Sequence, residues 1–287
     1  MVAVTTPTAQ EPRVRRPWLR RRWLSVVVVL WIVLVAGLGL WSVRNDPPTV
    51  PEQRDIAEAM PVLERASGAV FEAAAAGRDR AAEIDDVRVR PGCRVTPVRS
   101  GVEATRVVTV YVRGDGALPV LKAIAAALPA GFHARADAST SGRRVGLEAD
   151  AGGYVAIDAR ADAASQVLLI EISTGCRPEG DLTPPVPAVA EPPAQLTAVV
   201  RALGQQAAGS VGLSTVACPG GGSGRTYTVD GVPPPRDLGA ALQPVVGGAS
   251  VVRAEPGGWA FLAGGRAVAV TKRESALRVS VTEPCSR

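Results

Sequence analysis

The chain has 287 residues and a net charge of +5, and all of that excess lies at one end. Residues 1–22 hold Arg13, Arg15, Arg16, Arg20, Arg21 and Arg22 against Glu11 alone, so the rest of the chain sums to zero. A balanced bulk has no basic surplus with which to neutralise a run of phosphates, which excludes nucleic acid as the expected partner.

The length leaves one or two ordinary domains once an apolar N-terminal run is set aside. Aromatic residues are scarce, and Trp259 is the sole Trp beyond the N-terminal region. The core must come mostly from Val, Leu, Ile and Ala. Lys occurs only at Lys122 and Lys272, the other cations being Arg. With the Ala, Gly and Pro richness, that reads as coding bias rather than chemistry.

Trp23 to Val43 contains no charged residue. About 20 apolar residues at a rise of about 1.5 Å match a hydrocarbon core of roughly 30 Å. Trp23 and Trp41 mark its two ends, where indole rings prefer the interface, and Arg20, Arg21 and Arg22 flank it on one side against Arg44 on the other. That asymmetry predicts a signal-anchor helix with a basic cytoplasmic tail, residues 1–22, and an extracytoplasmic C-terminal bulk at the cell membrane. The run exceeds a usual signal-peptide core of roughly 7–15 residues, and no small-x-small site follows it. Residues 44–51, with Pro47, Pro48 and Pro51, read as a stiff stalk.

The bulk reads as α+β, with two tandem modules over residues 52–177 and 194–287, joined by a Pro-rich linker over 178–193. Ile56, Met60, Leu63, Val70 and Ala74 share one helical face, and Pro61 is expected to bend or split that helix. Leu196, Val199, Val200 and Leu203 form the corresponding stripe after Pro192-Pro193. Thr109–Val112 precedes an amphipathic run through Leu118, Leu121, Ala125 and Leu128; Thr226–Val229 precedes one through Leu238, Leu242 and Val245. Gln166–Ile172, closing on Cys176, matches Ser275–Val281, closing on Cys285. Each module is therefore helix, Cys-bearing strand, strand, helix and about four strands: an antiparallel sheet packed by two helices. Clean alternation in Arg278-Val279-Ser280-Val281 predicts one wet sheet face.

Cys93, Cys176, Cys218 and Cys285 all follow the anchor, and their even count predicts disulfides. Equivalent positions in a duplicated unit should bond equivalently, which selects Cys93–Cys176 and Cys218–Cys285. No CxxC or Cys/His cluster supports a metal, and no cofactor is expected.

Catalytic patterns are weak. His133 lies on a polar alternation with Arg135 and Asp137 and lacks a partner nucleophile. Ala208-Gly209-Ser210-Val211-Gly212 is half of a nucleophile elbow, and the sole His precedes it, against the order of that motif. Gly220–Arg225 lacks the spacing and Lys of a phosphate loop. Asp85-Asp86 and Glu148/Asp150 are the nearest to paired carboxylates, the second pair sharing a strand face. Arg135/Asp137 and Arg253/Glu255 recur in both modules, and Trp259 with Phe261 offers either core packing or a stacking platform.

These features point to a non-catalytic binding or accessory protein of a bacterial envelope. Its partners would be the bilayer, through residues 23–43, and a protein or envelope ligand. Alternatives are an envelope hydrolase of wall polymer or lipid using carboxylates alone, and a transmembrane sensor subunit acting through a partner.

Overall fold

In the computed structural model, which describes residues 17–45, 54–182, 188–206 and 209–286, Pro17–Asn45 form the helix α1. Its stretch Trp23–Trp41 is apolar and long enough to cross a membrane. Trp23 and Trp41 present exposed indoles, as do the Val, Leu and Ile side chains between them. The helix takes in Arg20, Arg21 and Arg22 from the expected tail and Arg44 from the expected stalk, so both flanks are more regular than composition suggests. Residues 1–16 and 46–53, which hold the rest of the tail and stalk, lie outside the described residues. One apolar N-terminal helix and two disulfides are consistent with a single-pass membrane protein carrying an oxidised extracytoplasmic domain.

Val50–Arg287 form a unit of their own. Its first lobe starts at α2 (Ile56–Ala75), whose N-cap Asp55 accepts a hydrogen bond from the Glu58 backbone N–H at 3.0 Å. Pro61 lies inside α2 and does not divide it: one helix spans both sides of the proline. Then come β1 (Arg80–Ile84), β2 (Arg88–Thr96), β3 (Arg99–Val112), α3 (Ala117–Ala127), β4 (Arg135–Ala138), β5 (Arg144–Asp150), β6 (Ala156–Asp162) and β7 (Val167–Arg177). They make an antiparallel sheet ordered β1-β3-β7-β6-β5-β4, with β2 paired to the early part of β3.

The second lobe comprises β8 (Ala188–Val189), α4 (Ala194–Ala202), β9 (Gly212–Ala217), β10 (Ser223–Val232), α5 (Leu238–Val246), β11 (Ser250–Glu255), β12 (Gly258–Ala263), β13 (Arg266–Arg273) and β14 (Ala276–Ser286). Its sheet runs β11-β12-β13-β14-β10-β9-β8. Setting β1 and β8 aside, both lobes read helix, strand, strand, helix and four strands, with sheets ordered β2-β3-β7-β6-β5-β4 and β9-β10-β14-β13-β12-β11. Disulfides join Cys93 on β2 to Cys176 on β7, and Cys218, just past β9, to Cys285 on β14. That is the pairing selected from the sequence pattern.

Each lobe has an aliphatic core. In the first, Leu63, Val70 and Ala74 of α2 and Leu121 and Ile124 of α3 pack with Val108, Val110, Leu147 and Ile170 of the sheet. In the second, Leu196 and Val200 of α4 and Leu242 of α5 pack with Phe261, Val268, Val279 and Val281. A third, smaller cluster joins the lobes: Ala81 and Tyr111 of the first sheet meet Val252, Ala260 and Ala269 of the second.

That junction corrects the expectation of a wet face on the second sheet. On β7 the alternation does face water, with Leu169 and Glu171 exposed. On β14 the same pattern does not: Ser280 and Thr282 are each 2 % exposed, because β1 and α2 of the first lobe cover that face. α2 approaches so closely that a Cβ on Gly68 would collide with the Ala217 carbonyl, and one on Gly224 with the Phe71 ring.

The Pro-rich segment is also less free than expected. The Pro178 carbonyl accepts from the Ile56 backbone N–H at 3.1 Å, and Ala188–Val189 pair with Gly212 and Leu213 as the edge of the second sheet. Residues 183–187, which carry Pro184, Pro185 and Pro187, lie outside the described residues.

Candidate binding groove

Among the described residues, a sealed polar seam and an open groove stand out. The sealed site is the seam between the lobes. Glu83 of β1, 4 % exposed, accepts hydrogen bonds from the Tyr111 hydroxyl at 2.8 Å and from the Ser280 hydroxyl of the second lobe. Burial pushes the Glu83 carboxyl above its ordinary range, while the two hydroxyls and the Arg278 cation pull it down. Burial likewise drives the Tyr111 phenol well up, with the nearby Glu83 carboxylate adding to it. Arg278 reaches Asp85 at 2.8 Å. Burial works against its charge, but Asp85, Glu83 and Asp230 outweigh that and hold it above the usual guanidinium range.

Beside them, Arg106 is 3 % exposed and donates to the Asp85 carbonyl at 2.9 Å, to Glu64 at 2.7 Å and to the Thr215 carbonyl at 2.7 Å. Burial lowers its pKa, against the pull of Glu64. The Thr226 hydroxyl accepts from the Ile84 backbone N–H at 3.1 Å. Buried polar groups are tolerable only when paired, and here most pairs cross between lobes. The seam is a structural clasp, closed to a substrate.

The open site is a groove of about 500 Å³ in the second lobe. Pro233-Pro234-Pro235 hold the chain extended after β10. Asp237 then caps α5, accepting from the Ala240 backbone N–H at 3.0 Å. The first turn of α5 lies across the indole of Trp259, and Gly239 permits that approach: a Cβ there would stand 3.1 Å from Trp259 Cζ2. Trp259 pairs with Ala254 across β11 and β12, and Glu255 pairs with Gly258. The turn between those strands is tied to the next strand, its Gly257 carbonyl accepting from the Lys272 backbone N–H at 3.0 Å. Indole, prolines, Arg236, Lys272, Asp237 and Glu255 thus converge on one concavity.

The charges in the groove are not equally engaged. Glu255 accepts from Arg253 at 2.8 Å and from the Gln166 side chain of the first lobe at 2.7 Å. Asp237 is occupied by its helix. Arg236 and Lys272 have no ion-pair partner among the described residues. The side chains lining the groove include no Ser, Thr, Cys or His.

Of the residues singled out from the sequence, Glu255 and Trp259 line this groove, and Arg253 stands behind it holding Glu255. Phe261, the other half of the suggested platform, is fully buried in the core. Arg135 and Asp137 line a separate depression of about 190 Å³ with Glu148, where Arg135 pairs with Glu148 at 3.0 Å.

The remaining candidates disperse. Asp150 accepts from the Gly152 backbone N–H at 2.8 Å and shapes a turn, Asp85 faces the seam, and Asp86 is exposed. His133 is exposed and left-handed (φ 48°), ending a short 3-10 turn rather than standing in β4. Ser210 is exposed before β9, and Pro219–Gly222 make a tight turn between β9 and β10.

Arg236, Asp237 and Lys272 are charged groove residues that sequence reasoning did not single out. That Lys272 is one of two Lys in an arginine-rich chain was the one available hint. Comparison of the chain with protein-family models, with curated proteins and with solved structures finds no match.

Proposed function

We propose that this is a non-catalytic binding or accessory protein of the bacterial cell envelope, with its ligand or partner engaging the groove at Trp259. α1 anchors it in the cell membrane with the N-terminus in the cytoplasm. Six Arg before the span against Arg44 after it support that orientation, and the disulfides support an oxidising compartment for the rest. The two lobes are tandem copies of one module, each with a sheet covered by two helices. Support comes from their shared element order, strand order and bridge positions.

The observation that carries the binding reading is the groove itself, lined by the Trp259 side chain and by two cations that have no ion-pair partner among the described residues. In-cell photocrosslinking tests it, with benzoylphenylalanine placed in the full chain either at Pro234 on the groove rim or at Thr140 on an exposed turn of the first lobe. The expected result is a discrete adduct from Pro234 that is absent from Thr140 and lost when Trp259→Ala is added. Equal adducts from both positions, or none from Pro234, would overturn it.

A further inference from the structure

Resting on the groove reading above, we propose that the ligand is an acidic saccharide, its ring lying on the Trp259 indole and its carboxylate held between Arg236 and Lys272. Three features of the groove select this class.

The first is shape. A concavity of about 500 Å³ suits a small ligand or a few linked rings. Its lining includes the Trp259 indole, which is held against the first turn of α5 at Gly239 and on a strand paired with β11. A flat, pre-set indole face packs against the C–H face of a pyranose without ordering a flexible side chain.

The second is the balance of engaged and idle charge. Both carboxylates are spoken for, Glu255 by Arg253 and Gln166 and Asp237 by the α5 backbone. Both cations are idle, so the charge awaiting a partner is positive, and its complement is an anionic group. The third is the leftover acceptor capacity of those carboxylates. Each oxygen accepts more than one hydrogen bond, so Glu255 and Asp237 still offer lone pairs to sugar hydroxyls. A purely apolar or cationic ligand would leave both Arg236 and Lys272 unanswered.

The test uses the full chain in detergent micelles, labelled with 5-fluorotryptophan and followed by ¹⁹F NMR. Trp259→Phe assigns the Trp259 resonance apart from those of Trp18, Trp23, Trp31 and Trp41. The probe is tri-galacturonate, with its methyl-esterified form as the uncharged counterpart and triglutamate as an acidic peptide. Tri-galacturonate is expected to move the Trp259 signal saturably and leave the other four in place. The methyl ester, and the Arg236→Gln/Lys272→Gln variant, should each bind at least about tenfold more weakly.

No saturable shift, equal binding of the ester, or equal binding of triglutamate would overturn the acidic-saccharide assignment. Any of these alongside a Pro234 adduct in cells would leave the groove as a binding site for another class. Loss of the adduct as well would remove both readings.

Discussion

Arg278 on the last strand of the second lobe meets Asp85 of the first at 2.8 Å, joining residues 193 positions apart. Neither side chain has much contact with water, Arg278 being 19 % and Asp85 13 % exposed. Removing one partner strands the other charge in a poorly hydrated site, at a cost of about 3 kcal/mol. Arg278→Ala should therefore lower the unfolding free energy by about that amount in urea titration. Adding Asp85→Ala should recover part of the loss, and strictly additive effects would show that the two residues do not interact.

The neighbouring carboxyl makes stability depend on pH. Burial raises Glu83 above its ordinary value of 4.5, so the folded protein keeps a proton that the unfolded chain has released. Its stabilising contribution is whole below the unfolded value and is lost as pH rises through the folded one. Glu83→Gln has no such proton to lose. As pH rises above the ordinary value of 4.5, the wild-type Tm should fall relative to that of Glu83→Gln. Circular dichroism melts that kept a constant offset at every pH would contradict this.

Close approach of α2 to the second sheet gives a steric test. A methyl group on Gly68 meets a backbone carbonyl, that of Ala217, which has no rotamer by which to yield. Gly68→Ala should destabilise by roughly 1–3 kcal/mol despite improving helix propensity. Gly131, with nothing within 4 Å of its added Cβ, serves as the control, and Gly131→Ala should stay within about 0.5 kcal/mol of wild type.

The second bridge closes a separation of 67 residues. Replacing Cys218 and Cys285 by Ser should cost up to about 4 kcal/mol by the chain-entropy argument, seen as a lower urea midpoint. The matching change at Cys93 and Cys176, which are 83 residues apart, should cost about the same. An unchanged midpoint in either variant would show that the bridge does not constrain the unfolded chain.

The apolar N-terminal helix, the cysteine pairing and most strands were legible because each has a local signature: a charge-free run, a repeated spacing or an alternation. β1 had none. Arg80-Ala81-Ala82-Glu83-Ile84 is buried on both faces, between α2 and the second sheet, so its sequence carries no period of two. Ser280 misled for the complementary reason. A small hydroxyl at every second position reads alike whether water or Glu83 stands opposite. In the groove, Trp259 and Glu255 stood out by residue type and by recurrence. Arg236 and Lys272 come from a loop and a strand end, and nothing local announces that a triple-proline segment brings them to the same indole.

The seam also sets an order for the birth of the fold. A chain emerging N-terminus first completes α2, β1 and β3 while β14 is still unmade. Until that strand arrives, Glu83 lacks the Ser280 hydroxyl and Asp85 lacks the Arg278 cation. A copy truncated before residue 276 would carry this gap permanently. The eleven-residue strand β14 is therefore the closing piece of the seam, and a copy without it leaves the Glu83 carboxyl and the Asp85 charge unanswered.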